Sequence, residues 1–250
     1  MKIIQISDCH LFADNQRVGY NNINPFRSLK HILAEVKTHQ ADVLLITGDI
    51  SGDGSEQSYQ HLSSLLHETK MDCKIGIIPG NHDNHTQLKA NIFEEYLWLN
   101  NPRIVLPNQW HIHLLDTQYQ QAMGQISEGS LTSLVEYLSL YPQGYHLLAA
   151  HHHPIPCGGW MDKHEWTNRQ RFNEVVAKYP SIKGVVYGHI HMAIEQQINQ
   201  CLYMACPSTC WQFANQKSFA ISDLMPGYRV INLLKNGQIT TSTFRIQEQV

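Results

Sequence analysis

The segment Ile3-Ile4-Gln5-Ile6-Ser7-Asp8-Cys9-His10 opens as an apolar, β-branched run and ends in ligand-type side chains. Such a run predicts a short strand. With the two-residue alternation of a strand, Asp8 and His10 project to one side and Cys9 to the other. A carboxylate and an imidazole on one side can hold one ion. The same design recurs along the chain. Val43-Leu44-Leu45-Ile46-Thr47 runs into Gly48-Asp49, Ile77-Ile78-Pro79 into Gly80-Asn81-His82-Asp83, His146 to Ala150 into His151-His152-His153-Pro154, and Val185-Val186-Tyr187 into Gly188-His189-Ile190-His191. Glycine lets the chain turn sharply after the strand. The carboxyl edge where these side chains then stand is where open α/β sheets bind ligands.

Outward from these segments, apolar runs alternate with helix-period stretches, the pattern of βαβ units. Strands are expected at Ile3 to Ser7, Val43 to Thr47, Ile75 to Pro79, Ile112 to Leu115, His146 to Ala150 and Val185 to Tyr187. Helices are expected at about Phe26 to His39, Glu56 to Leu66, Thr86 to Trp98, Leu131 to Leu140 and Asn168 to Tyr179. From Ala193 the character changes to antiparallel strands at Ile194 to Ile198, Leu202 to Ala205, Tyr228 to Leu234 and Ile239 to Ile246, with Asn236-Gly237 as a hairpin turn. No repeat or linker divides the sequence, so residues 1–250 read as one α/β (α+β) domain, and two facing sheets flanked by helices would accommodate both parts.

Composition narrows the function. At 250 residues, 42% hydrophobic and 16% charged, the chain reads as globular, and it lacks the roughly 18-residue apolar run of a membrane helix. Lys and Arg number 18 against 21 Asp and Glu, for a formal charge of -3. No basic field therefore exists to attract a nucleic-acid backbone, and neither nucleic acid nor membrane is an expected partner. The apolar stretch at Met1 to Ile6 is too short for a signal-peptide core, which places the chain in the cytoplasm as an expectation. Cys9, Cys73, Cys157, Cys201, Cys206 and Cys210 form no C-x-x-C pair, so reduced thiols are expected rather than a structural zinc. The unusual number is 16 histidines, clustered at His82/His85, His151 to His153 and His189/His191. Clustered imidazoles suggest metal.

Taken singly, each motif has an ordinary reading. Gly48-Asp49 could be a turn, Asp83 the N-cap of a following helix, and His151 to His153 a surface cluster. Coincidence at every one of these strand ends is far less expected than at one. The order Asp-x-His, Gly-Asp, Gly-Asn-His-Asp, His-x-Pro, Gly-His-x-His, complete from Asp8 to His191, resembles the calcineurin-like metallophosphoesterases. That resemblance implies a four-layer αββα sandwich of two mixed sheets with a binuclear metal centre. The Asp8-Cys9-His10-Leu11-Phe12 start, the histidine triplet before Pro154 and Pro207-Ser208-Thr209-Cys210-Trp211-Gln212-Phe213 are further similar to bacterial class III cyclic-nucleotide phosphodiesterases of the CpdA type.

The resemblance implies that Asp8, His10, Asp49 and His191 hold one metal and Asp49, Asn81, His152 and His189 the other, with Asp49 bridging. The choice of His152 follows the family's His-x-Pro pattern, and His151 and His153 stay open as alternatives. Mixed carboxylate, amide and imidazole donors suit Fe or Mn, with Zn or Co as further options, and two divalent or mixed-valence ions are the expected cofactors. A metal-bridging hydroxide would then attack phosphorus. The resemblance also implies that Asn81 and His82 face the substrate, with His82 protonating the leaving oxygen and Asp83 orienting His82 or stabilising its charged form. The expected substrate is a small cyclic nucleotide, 3′,5′-cyclic AMP giving 5′-AMP. Another phosphodiesterase activity, glycerophosphodiester or broad nucleotide, is the alternative on the same scaffold, and a non-catalytic scaffold is the alternative of another class. Trp160, Trp211 and Phe213 are candidates for holding the base.

Overall fold

In the computed structural model, residues 1–91, 96 and 102–247 are described. The first half of the chain runs β1 (Lys2–Ile6), α1 (Pro25–Thr38), β2 (Val43–Thr47), α2 (Glu56–Thr69), β3 (Lys74–Ile78), α3 (His85–Asn91), β4 (Arg103–Leu106) and β5 (Trp110–Leu114). The second runs α4 (Glu128–Leu140), β6 (Tyr145–Ala149), α5 (Arg169–Lys178), β7 (Ile182–Tyr187), β8 (Ile194–Ile198), β9 (Cys201–Ala205), β10 (Gln212–Phe213), β11 (Ile221–Ser222), β12 (Gly227–Leu233) and β13 (Ile239–Arg245). One sheet has the order β13-β12-β1-β2-β3 and the other β4-β5-β6-β7-β9-β8, with β10 and β11 a separate pair. Pairing is parallel from β1 to β3 and from β5 to β7, and antiparallel at β1/β12, β12/β13, β4/β5 and β8/β9. Both sheets are therefore mixed.

Strand parity divides the side chains between layers. Ile4, Ile6, Leu44 and Ile46 pack on Leu29, Ile32 and Leu33 of α1 and on Tyr59, Leu62 and Leu66 of α2. Their neighbours Ile3, Val43 and Leu45 face Ile112, Leu114, Leu147, Val186 and Met204 of the second sheet. On that sheet's far side Leu148 and Val185 meet Leu131 and Leu134 of α4 and Phe172 and Val176 of α5. The layers are thus helix, sheet, sheet, helix, and the central strands are apolar on both faces because both faces are covered. Local signals fix the helix starts: the Asn24 side chain accepts from Arg27 N with Pro25 following, and Ser55 and Ser127 accept from Ser58 N and Ser130 N. No helix among the described residues is long and apolar enough to cross a membrane.

Two expectations change. β4 is a short edge strand that the sequence reading left out, and β9 is not purely antiparallel. The chain leaves β7, passes to edge strand β8 and returns through β9 between them, so β9 runs parallel to β7. Of the helix expected over Thr86 to Trp98, α3 supplies the start, and positions 92–95, 97 and 98 lie outside the described residues.

Not every histidine serves the strand ends. His111 and His113 of β5 and His146 of β6 sit under α4, where His113 Nε2 is 2.9 Å from His146 Nδ1 and His111 Nδ1 is 3.0 Å from the Tyr137 hydroxyl. Burial pushes His146 down to about 4 and holds His111 and His113 below the ordinary imidazole value, with the Arg103 guanidinium, which lies over the Tyr137 ring, adding to the effect on His113. In the unfolded chain these groups take protons below about pH 6.5. Between there and about pH 4 the unfolded state binds protons that the folded state refuses, so stability present above 6.5 is lost as the pH falls. The urea midpoint of the wild type is expected to drop over this window more steeply than that of His113→Leu. Parallel curves would place the acid lability elsewhere.

Candidate metal centre

The carboxyl ends of β1, β2, β3, β6 and β7 open on one region, and each delivers its motif there. The turns are tight and unusual. Asp8, His10, Asp49, His189 and His191 all have left-handed backbone, with φ of 55°, 46°, 49°, 69° and 49°. Residues bearing a Cβ disfavour this region, and each such position costs of order 1–3 kcal/mol, sustained only where surrounding bonds over-determine it. Those bonds are present. Asp8 N donates to Gly48 O at 3.0 Å, His10 N to Asp49 O at 2.9 Å, and the Asp8 carbonyl accepts from Ser208 Oγ at 2.8 Å and Cys210 Sγ at 3.2 Å. Gly48, itself at φ 92°, faces His151 and Gly80 so closely that any Cβ would collide with them. The convergence of Asp8 and His10 is a product of these turns rather than of strand alternation, since β1 ends at Ile6.

Around Asp49 the donors separate into two groups. Asp49 Oδ2 lies 3.6 Å from His10 Nε2, His10 Nε2 lies 3.1 Å from His191 Nε2, and His191 Nε2 lies 3.4 Å from Asp8 Oδ1. Two donors on one ion with bonds of about 2.1 Å stand about 3.0 Å apart at right angles and about 3.6 Å apart at 120°. The four atoms have the spacing of one coordination shell. On the other side, Asp49 Oδ1 lies 3.5 Å from His151 Nε2, which is 3.2 Å from Asn81 Oδ1. Ligand atoms of His151, His152 and His189 lie within 4.8 Å of one another. His152 Nε2 and His189 Nε2 are buried without a hydrogen-bond partner among the described residues. Buried imidazole nitrogens so placed could hold a cation.

The histidine triplet is thereby differentiated. His151 Nδ1 donates to Thr47 O at 2.8 Å, so the neutral ring turns an Nε2 lone pair on Asp49 and Asn81. Acceptors facing one another require a proton or a metal ion between them. Without a metal the proton is held: burial opposes the charge, but Asp49 raises His151 to about 9. Burial and the neighbouring imidazoles hold His152 and His189 well below the ordinary value, leaving them neutral and ligand-competent. Thr117 Oγ1 stands 2.8 Å from His152 Nδ1 and fixes that ring. His153 sits outside these contacts, stacked on His189 at 5.6 Å with its Nε2 3.5 Å from Asp162 Oδ1. The structure brings both His151 and His152 to the second group and turns His153 away from it.

His82 is exposed, its backbone N–H donates to Asp49 Oδ1 at 2.8 Å, and its ring stands edge-on to His10 at 5.0 Å. It lines a pocket of about 170 Å³ together with His10, Asp49, Asn81, His189 and His191. Asp83 does not orient it, contrary to the sequence expectation. Its carboxylate accepts from Gly80 N at 2.8 Å, Ser51 N at 3.0 Å, Ile50 N at 3.2 Å and the Tyr59 hydroxyl at 3.1 Å. With four donors converging on it, Asp83 ties the turn after β2 to the turn after β3 and is a positioning residue for Asp49 and Asn81. Burial, then the Asp49 charge, push its carboxyl up to about 6. Thr47, Thr117, Ser208 and the Trp211 carbonyl, which accepts from His191 Nδ1 at 2.7 Å, support the donors from outside. Of these, only the Pro207 to Phe213 stretch carried a sequence signal. Cys9 packs among Ile4 and Ile6 on the helix side, and burial pushes its thiol up to about 12, the state of an inert packing residue.

Residues 1–193 match the family described as Calcineurin-like phosphoesterase. Over 255 residues the chain is 32% identical to the 3′,5′-cyclic adenosine monophosphate phosphodiesterase CpdA of Escherichia coli, covering 99% of this chain and 90% of that protein. It is 31% identical to a 3′,5′-cyclic-nucleotide phosphodiesterase of Nostoc sp., covering 98% of this chain and 92% of that one. Among solved structures, a dimetal phosphatase from Danio rerio superimposes with a TM-score of 0.68 at 13% identity, over 98% of both chains. A Plasmodium protein described as the anchor in the inner membrane complex gives 0.68 at 12% identity, over 100% of this chain and 86% of that one. At such identities the two structures establish the fold alone.

Proposed function

The chain belongs to the calcineurin-like phosphoesterase family, a family of metal-dependent phosphoesterases, and on that footing we propose that it hydrolyses 3′,5′-cyclic AMP to 5′-AMP. The observation that carries the substrate is likeness to a cyclic AMP phosphodiesterase over 99% of the chain, including the Pro207 to Phe213 stretch beyond the matched family region. Asp8, His10, Asp49 and His191 would hold one ion, and Asp49, Asn81, His152 and His189 the other. The direction of Asp49's two oxygens to separate donor groups supports its sharing, and the placement of His151 makes it a further donor for the second ion. Fe and Mn suit this mixed donor set, with Zn or Co as alternatives. Bound divalent ions supply an activated water and neutralise phosphoryl charge.

The chain's own groups do the rest. Asn81 and His82, at the pocket lining, meet the phosphoryl oxygens, and His82 carries a proton to the ribose 3′ oxygen as the P–O bond breaks. Water takes the place of that oxygen on phosphorus, so ring opening leaves a 5′-phosphomonoester and a 3′ hydroxyl. A survey of metal-reconstituted protein against cyclic AMP, cyclic GMP, 5′-AMP, glycerophosphodiesters and DNA tests the assignment. Cyclic AMP is expected to show the highest kcat/KM. Preference for a glycerophosphodiester or a phosphomonoester would overturn the substrate while leaving the phosphoesterase centre intact, and no turnover of any phosphoester would point to a scaffold role.

A further inference from the structure

On one side of the metal-centre pocket the wall is aromatic. Phe213 stacks on His191 at 4.2 Å and Trp211 on His10 at 5.3 Å, so residues two apart in one segment cover the imidazoles of the first donor group. From there the rings continue outward. Trp160 stands 4.9 Å from Phe213 and 5.0 Å from Phe219, and Tyr20 stands 5.3 Å from Trp211 and 5.7 Å from Phe219. Phe219 is 53% exposed and Tyr20 49%. Large aromatics normally bury such surface, and a contiguous exposed group at a pocket rim marks a ligand surface.

The geometry points to this wall as the seat of the substrate's heteroaromatic base, with the base lying against the rings of Trp160 and Phe219. The inference rests on the phosphodiesterase reading above and adds to it the group that would separate nucleotides from other phosphodiesters. Continuity with the metal centre selects the occupant. Trp160 and Phe213 line the same pocket as Asn81 and His82, so a molecule whose phosphate sits at those residues has its organic part at the aromatic side. A planar base matches the aromatic rings, whereas glycerol would leave them unused. The segment bearing Trp160 is also held in place, because Asp162 accepts from Cys157 N at 2.8 Å and Gly158 N at 2.9 Å.

Calorimetric titration of Mn-reconstituted protein with 5′-AMP and, separately, with ribose 5-phosphate tests the wall without requiring turnover. In the wild type 5′-AMP is expected to bind at least about tenfold more tightly than ribose 5-phosphate, the scale of a stacked base. Phe219→Ala is expected to remove most of that difference while leaving ribose 5-phosphate affinity unchanged. Trp160→Leu, which deletes the neighbouring ring, should remove part of it. Equal binding of the two ligands by the wild type, or parallel weakening of both in the variants, would overturn the proposal even if cyclic AMP were hydrolysed. Conversely, a base-dependent difference that Phe219→Ala abolishes would uphold the wall even if cyclic AMP proved a poor substrate.

Discussion

Asp49→Ala is expected to empty both metal positions and to lower phosphodiesterase activity by roughly 10³-fold or more, the scale of losing several kcal/mol of charge stabilisation. Its Oδ2 faces His10 at 3.6 Å and its Oδ1 faces His151 at 3.5 Å, so one substitution removes a donor from each group. Asp8 has His191 as its nearest side-chain donor, at 3.4 Å, accepts from His189 N, and lies within 4.8 Å of ligand atoms of Asp49 and His151 without being shared between the two groups as Asp49 is. Asp8→Ala should therefore weaken one position and leave the other loaded. Metal analysis after reconstitution and gel filtration reads this directly, with wild type, Asp8→Ala and Asp49→Ala in descending order of bound metal, and circular dichroism establishes that each variant is folded. Chelation of the wild type should abolish turnover, and Mn or Fe should restore it. Wild-type metal content in Asp49→Ala would remove Asp49 from the centre, and full turnover by metal-free protein would end the metal-dependent reading.

The strand ends were legible because each combines two independent signals, an apolar β-branched run and a turn that begins with small or ligand-type residues. β2 coincides with its expected bounds, Val43 to Thr47, and β8 with Ile194 to Ile198. What escaped was set by contacts distant in sequence. β4, with the burial of an edge strand, has four residues and among the described residues pairs with β5 alone. β9 runs parallel to β7 because the chain skips one strand position to place β8 at the edge and then fills the gap with β9, an outcome of sheet assembly rather than of its own sequence. Asp83 looked like a companion of its neighbour His82, yet its partners Ile50, Ser51 and Tyr59 lie more than twenty residues earlier. The left-handed backbone at Asp8 and His10 was hidden for the same reason, since the bonds that hold it come from Gly48, Asp49, Ser208 and Cys210. Local pattern thus located the ligand-type residues, while the reason they converge lies in bonds between segments.

His82→Ala is expected to lose a factor of about 10²–10⁴ on cyclic AMP, the usual contribution of a general acid, and distinctly less on bis(4-nitrophenyl) phosphate. Ring opening expels the ribose 3′ oxygen, a strongly basic alkoxide unless it is protonated in the transition state, whereas the nitrophenyl ester expels a phenolate that needs little help. The geometry leaves His82 suited to the task. Its backbone is tied to Asp49 Oδ1 at 2.8 Å while its side chain is exposed at the pocket lining. The Asp83 carboxylate is engaged with Gly80, Ile50, Ser51 and Tyr59, and the carboxylate near the His82 ring is instead that of Asp49, with an oxygen within 4.8 Å of a ring nitrogen. Asn81→Ala provides the contrast. As a proposed metal donor it would stabilise the phosphoryl core common to both substrates, so its loss should depress both comparably. If His82 served only to bind a phosphoryl oxygen, its removal would act on that common core too, and equal fractional losses on the two substrates would exclude it as the leaving-group acid. Metal content measured on His82→Ala separates this from a disturbed centre, because the exposed ring is not among the proposed ligands and occupancy should match the wild type.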